Sequence, residues 1–262
     1  MSDKKNVWDL FSLKGRVAVV TGGSGLFGRQ IAEALTEAGA RTIMASRNLE
    51  KLRSQAGLFR QAGLEVEVLQ YDQSSEESIK LLLKQALDLA GKVDILVNNS
   101  VLRTMKGWDD PGPNFTQSME VNGTGLFLMT RIFGDYMATQ GRGSIINVGS
   151  IQGVVGPDFT LYEGLNWGAP ADYFFHKGGL LQLTRYAAAV LGPRGVRVNA
   201  ISPGGFFNNQ DESFVKRYNA RTFLGRMANE TDVKGGIVFL ASDASAYVTG
   251  ANVAVDGGYT CK

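Results

Sequence analysis

The sequence predicts an α/β fold: one domain spanning residues 1–262, built on a doubly wound parallel sheet of about seven strands with helices on both faces. Three observations carry this expectation. Short β-branched runs alternate with longer helical ones along the chain. Runs such as RVAVVT and DILVNN are apolar almost throughout, as strands buried on both faces are. Helical windows close on a glycine where a left-handed cap belongs.

In chain order, strands are expected over 16–21, 41–45, 65–70, 94–97, 144–148, 197–201 and 252–255. Helices are expected over 27–38, 49–62 and 75–90, followed by Gly39, Gly63 and Gly91. Residues 1–12 read as a short N-terminal extension. Three irregular stretches, 104–114, 154–172 and 204–223, each follow a strand. They should project as mobile loops from the carboxyl edge of the sheet, where open α/β sheets bind ligands.

Composition narrows the function classes. The 44% apolar and 20% charged content is that of an ordinary globular chain. The net charge of +2 makes no electrostatic case for nucleic acid or an anionic membrane. Cys261 is the only cysteine and His176 the only histidine, so neither a thiolate cluster nor a multi-histidine metal site can form within the chain. No metal is expected. The N-terminal MSDKKNVWDLFSLKG has no apolar run of signal-peptide length, and no stretch reaches the ~20 apolar residues of a membrane helix. A cytoplasmic protein is expected.

The first strand runs directly into TGGSGLFG, and a helix follows. Glycines tighten such a turn and bring backbone amides close to a pyrophosphate seated on the helix N-terminus. Gly22, Ser24, Gly25 and Gly28 are the candidate contacts of a Rossmann-type dinucleotide site. The second strand ends in Ser46-Arg47-Asn48, where an NAD site would carry a carboxylate for the ribose hydroxyls. An arginine here can instead pair with a 2′-phosphate, so NADP is favoured, with NAD the alternative. The plainer reading of Arg47 is a solvated residue at a helix start. Asp72 and Gln73 end the third strand, where an adenine edge can be bonded, and Asn98-Asn99 end the fourth, with Asn98 a further candidate cofactor contact. A structural role is preferred for Asn99.

The stretch YFFHK places Tyr173 and Lys177 four residues apart on one helix face. Carbonyl reduction needs a proton donor at the developing alkoxide, and alcohol oxidation the reverse. A nearby ammonium favours the phenolate and lowers a phenol from its ordinary ~10. GSIINVGS puts Ser150 at the end of the fifth strand, where its hydroxyl can hold the substrate oxygen.

With these pieces in place, the chain resembles the short-chain dehydrogenase/reductase family over residues 13–259. The resemblance rests on TGGSGLFG, the Asp72 position, Asn98-Asn99, VNGTG around Asn122, GSIINVGS, YFFHK, RVNAISPGG and the terminal VTGANVAVDGGYT. It implies Tyr173 as acid/base and Ser150 as ligand of the substrate oxygen. It implies that Lys177 binds the nicotinamide ribose and tunes Tyr173, and that Asn122 holds a proton-relaying water. Pro203, Gly204 and the backbone near Phe206 would line the nicotinamide pocket. The family also implies a homotetramer or homodimer. Three departures stand out. Leu26 replaces the usual middle glycine, with Gly25 one place earlier. Ser100-Val101 replaces alanine-glycine. The segment between Ser150 and Tyr173 is roughly ten residues longer than in many members, a length loops tolerate.

An enzyme acting on a small carbonyl or alcohol is therefore expected; a non-catalytic cofactor-binding regulator on the same fold is the alternative of another class. In the longer loop, Tyr162, Glu163, Asn166 and Trp167 suit a polyhydroxylated ligand. Gln152 and Trp167 are the candidate substrate residues. The loop and PGGFF-NNQ also resemble oxidoreductases of bacterial surface-sugar and flagellin-sugar biosynthesis, which implies a sugar or sugar derivative; a 3-oxoacyl reductase is the alternative. His176 is expected at the surface or an interface, pointing away from Tyr173.

Overall fold

The computed structural model describes residues 5–262. Residues 1–4 of the expected N-terminal extension lie outside the described residues. The rest of the extension holds a short helix, α1 (Val7–Phe11), that the sequence reading did not anticipate. Its signal was Asn6, whose side chain accepts from the amides of Trp8 and Asp9 as an N-cap.

Among the described residues seven strands form one sheet: β1 (Val17–Thr21), β2 (Arg41–Ser46), β3 (Val66–Gln70), β4 (Ile95–Asn98), β5 (Gly143–Val148), β6 (Val196–Pro203) and β7 (Asn252–Val255). Their order is β3-β2-β1-β4-β5-β6-β7, and every neighbouring pair is parallel. This is the expected Rossmann-type fold. The direction of winding reverses between β1 and β4, and a crevice opens there beyond the strand ends.

The helices are α2 (Leu26–Glu37), α3 (Leu49–Gln61), α4 (Glu76–Ala90), α5 (Gly112–Met119), α6 (Leu126–Thr139), α7 (Ala171–Leu191), α8 (Glu212–Arg221) and α9 (Lys234–Ala241). Strand side chains alternate between two cores, as the period of two requires. Ala18, Val20, Met44 and Ile146 pack with α2, α3 and α9 on one face. Val17, Val19, Ile43 and Ile145 pack with α4, α6 and α7 on the other. Phe133 of α6 is fully buried there. Among the described residues no helix is long and apolar enough to cross a membrane.

The three stretches expected as loose loops differ from one another. In 104–114 the chain is irregular until α5 begins at Gly112. In 204–223 half of the length is α8, capped by Asp211, which accepts from the Ser213 amide, and closed by Arg221 in the last turn. Burial of Phe214 and Tyr218, one turn apart, holds it down. In 154–172 a 3-10 turn forms at Phe159–Tyr162, and the loop is fastened to α8. Arg221 pairs with Asp158 at 2.6 Å, and Arg217 donates to the carbonyls of Leu161 (3.0 Å) and Glu163 (2.8 Å).

Candidate active site

At the end of β1 the chain turns at Gly22 with φ +64°, a conformation glycine adopts without strain. The Gly25 amide donates to the Gly22 carbonyl at 2.9 Å. A Cβ at Gly28 would overlap that carbonyl oxygen, so the first turn of α2 can lie this close only with glycine there. Gly25 gives α2 no side-chain cap, leaving the first-turn amides open. Gly22, Ser24 and Gly25 line the adjoining cleft of about 840 Å³, whereas Gly28 stands behind the turn. Open amides at the positive end of a helix, behind a turn whose one side chain is the small Ser24, fit a pyrophosphate. Asn99 donates to the carbonyls of Thr21 (3.0 Å) and Gly22 (3.2 Å), the structural role preferred from sequence.

At the end of β2, Asn48 caps α3 by accepting from the Lys51 amide at 2.8 Å, and Ser46 donates to the Asn48 carbonyl at 3.3 Å. Gln70 donates to the Arg47 carbonyl at 2.9 Å, so the backbone of this corner is fixed. The Arg47 side chain is exposed and forms no ion pair among the described residues. It shares the cleft wall with Ser46, Asn48 and Lys51. Lys51 is a second cation that sequence reasoning missed, since a lysine in the first turn of a helix carries no local signal.

Asp72 also lines the cleft, its carboxyl held below the usual range first by the Ser74 amide, with Arg47 adding to the effect. Gln73 reaches the cleft wall, but its side chain is bonded at both ends. It accepts from the Tyr71 hydroxyl at 2.9 Å and donates to the Val121 carbonyl at 2.9 Å. Asn98 is not brought to the cleft. Its side chain is buried under the sheet, donating to Asn147 at 2.9 Å and Thr130 at 3.3 Å.

The reacting end is assembled from β5 and α7. Tyr173 and Lys177 project from the first two turns of α7, and Ser150 follows β5. The Lys177 Nζ is buried and donates to the Val148 carbonyl at 2.6 Å. Burial would raise the Tyr173 phenol. The charges of Lys177 and Arg103 and hydrogen bonds to Ser150 and Arg103 outweigh it, and the phenol lies below its ordinary value. Lys177 is itself lowered by burial, against the opposing pull of Tyr173.

Arg103 was not singled out from sequence. It lies four residues past the paired asparagines, in a stretch with no motif, yet its guanidinium carbon stands 4.6 Å from the centre of the Tyr173 ring. Asn122 does not face the cleft. It lies in a π-helical turn, Glu120–Gly125, a distortion common at functional sites. Its side chain accepts from the Leu102 amide (2.8 Å) and donates to the Leu102 carbonyl (2.7 Å), clamping the residue before Arg103. His176 differs from expectation: it is buried, its ring 5.1 Å from that of Tyr173 and edge-on to it. Its Nδ1 is bonded to the Asp172 carbonyl, and burial pushes its pKa down to about 3, so the imidazole is neutral.

Beyond Tyr173 the cleft is walled by Gln152, Tyr162 and Trp167. Trp167 packs on Tyr162 (5.3 Å) and on Phe214 (4.8 Å). Glu163 and Asn166, expected to meet ligand hydroxyls, are exposed outside the cleft lining. Pro203, Gly204 and Phe206 close the wall between the two ends, with Phe206 braced against Phe27 at 5.6 Å.

Comparison with known proteins places this geometry among relatives. A family model described as Enoyl-(Acyl carrier protein) reductase matches residues 24–260. Galactitol 2-dehydrogenase (L-tagatose-forming) of Cereibacter sphaeroides is 33% identical over 263 residues, covering 96% of this chain and 97% of that protein. A short-chain type dehydrogenase/reductase from Mycobacterium marinum superposes with a TM-score of 0.87 at 30% identity, over 98% of this chain and 100% of that one. A gluconate 5-dehydrogenase from Burkholderia cenocepacia J2315, in complex with NADP and tartrate, gives a TM-score of 0.87 at 29% identity, over 98% and 100% of the two chains.

Proposed function

The chain belongs to the short-chain dehydrogenase/reductase family of oxidoreductases, and from that premise we propose that it interconverts a secondary alcohol and a ketone on a sugar or sugar derivative, with NADP as cofactor. The observation that carries this reading is the Tyr173 ring set between the Arg103 guanidinium, 4.6 Å from its centre, and the Lys177 ammonium at 5.5 Å, two charges that hold its phenol below the ordinary value. A phenol so placed gives a proton to a carbonyl oxygen in one direction and takes it from a hydroxyl in the other. Ser150 orients that oxygen. Lys177, anchored on the Val148 carbonyl, keeps the phenol acidic and stands where a nicotinamide ribose would lie. Asn122 serves as a positioning residue through its clamp on Leu102. The nicotinamide would supply or accept the hydride.

Support for NADP comes from Arg47 and Lys51 at a β2 end without a carboxylate, and from the NADP complex of the Burkholderia relative. The pyrophosphate would rest on Gly22, Ser24 and Gly25, the adenine side near Asp72 and Gln73, and the nicotinamide near Pro203, Gly204 and Phe206. Support for a sugar comes from Trp167 beside Gln152 and Tyr162, a flat apolar face next to hydrogen-bonding groups, and from the galactitol and gluconate relatives. A 3-oxoacyl substrate is the second reading, favoured by a 3-oxoacyl-[acyl-carrier-protein] reductase of Aquifex aeolicus that is 30% identical over 259 residues. We also infer one cytoplasmic domain that assembles as a homotetramer or homodimer. Phe175, Tyr186 and Val190 lie exposed along one side of α7, as an interface requires.

The test is a nicotinamide absorbance assay with NADP and NAD against polyols, aldonates, ketoses and a 3-oxoacyl thioester. Turnover of sugar compounds with NADP is expected. Turnover of the thioester alone overturns the substrate assignment.

A further inference from the structure

We propose that Arg103 anchors a carboxylate, and that the substrate is a polyhydroxylated carboxylic acid rather than a neutral sugar. The inference rests on the sugar reading above and narrows it.

Arg103 is held in place from behind. Asn122 bonds both the amide and the carbonyl of Leu102 and is itself fixed by the Ser118 hydroxyl at 2.9 Å. The guanidinium is thereby delivered over the Tyr173 ring, 4.6 Å from its centre, on the wall of the cleft. It shares that wall with Tyr162, Gln152 and Trp167, so the cation and the aromatic wall border the same space beside Tyr173.

The other charged groups of the cleft are already matched or lie elsewhere. Lys177 is buried against the Val148 carbonyl. Asp158 is paired with Arg221 at 2.6 Å. Arg47, Lys51 and Asp72 stand at the far end, beyond the glycine turn. Arg103 forms no ion pair among the described residues and, unlike the buried Lys177, is exposed on the cleft wall, where a ligand can reach it.

A guanidinium carries five N–H donors in a planar fork that fits the two oxygens of a carboxylate. None of these donors is taken by a carboxylate of the chain among the described residues, and the guanidinium lies on the cleft wall over the Tyr173 ring. Closing a neutral polyol over this cation would strip its water without replacing it, whereas a carboxylate gives charge-assisted bonds. One guanidinium also matches the single charge of a carboxylate.

Titration of D-gluconate and D-glucitol, which share a carbon skeleton and differ in the carboxylate, into the protein saturated with nicotinamide cofactor tests this. Gluconate should bind tighter by about ten- to a hundred-fold, the range of a charge-assisted contact. In Arg103→Gln that ratio should collapse toward one. Equal affinities in the wild type, or a gluconate preference that survives in Arg103→Gln, overturn the anchor while leaving the sugar reading standing. If neither compound binds and an acetoacetyl thioester does, both readings fall together.

Discussion

The Lys177 ammonium nitrogen lies 5.5 Å from the centre of the Tyr173 ring, one helical turn further along α7. Burial pushes the phenol up, and this ammonium is the leading charge that brings it below its ordinary ~10. The phenolate is the form that takes a proton from an alcohol. Oxidation should therefore rise with pH and level off above a midpoint below ~10. In Lys177→Met burial remains and the leading opposing charge is gone, so the midpoint should move upward. A pH profile of kcat in the oxidation direction measures both; an unmoved midpoint removes Lys177 as the tuning group.

Arg47 should decide cofactor choice, because its side chain stands free on the cleft wall while its backbone is fixed by Gln70. Arg47→Ala should weaken NADPH binding by about ten- to a hundred-fold and leave NADH close to wild type. Dissociation constants for both cofactors give the answer. Wild-type protein that binds NADH as tightly as NADPH rules out the NADP assignment.

Trp167 forms part of the wall beyond Tyr173, packed nearly perpendicular to Tyr162 and tilted against Phe214. Trp167→Ala should raise KM for substrate by about two- to ten-fold, the worth of one aromatic contact. The KM for the nicotinamide cofactor should stay nearly constant. Unaltered substrate kinetics with weakened self-association would mean that the loop serves an interface between subunits.

Gly28→Ala places a methyl group on the Gly22 carbonyl oxygen. Either the turn or α2 must shift, so the variant should lose about 1–3 kcal/mol of stability and much of its cofactor affinity. Thermal unfolding with and without NADPH measures the two effects. Wild-type Tm and affinity would show that the turn has room the geometry denies it.

Sheet and strand limits were legible because buried strands and glycine caps are local signals: 252–255 was bounded to the residue as β7. The pairing of Tyr173 with Lys177 was legible for the same reason, being one helical turn. Arg103 was not, because its approach to Tyr173 spans 70 residues of chain and depends on the Asn122 clamp around Leu102. Asn98 shows the reverse limit: its position at a strand end pointed to the cleft, while the pleat turned its side chain under the sheet toward Asn147. His176 looked solvent-facing on a helical wheel, but α7 is buried on that side too, and the ring packs edge-on against Tyr173. The helix α8 was hidden in a stretch whose Asp211 cap is easily taken for a turn residue.

Tyr173→Phe tests the central claim most directly, since it removes one hydroxyl and keeps the ring that packs with His176 and lies beneath Arg103. On the substrate identified in the panel, turnover should fall by at least about 100-fold, as loss of a proton-transfer group requires. The dissociation constant for NADPH should stay within a few-fold of wild type. Turnover of Tyr173→Phe within a few-fold of the wild-type rate would contradict the account.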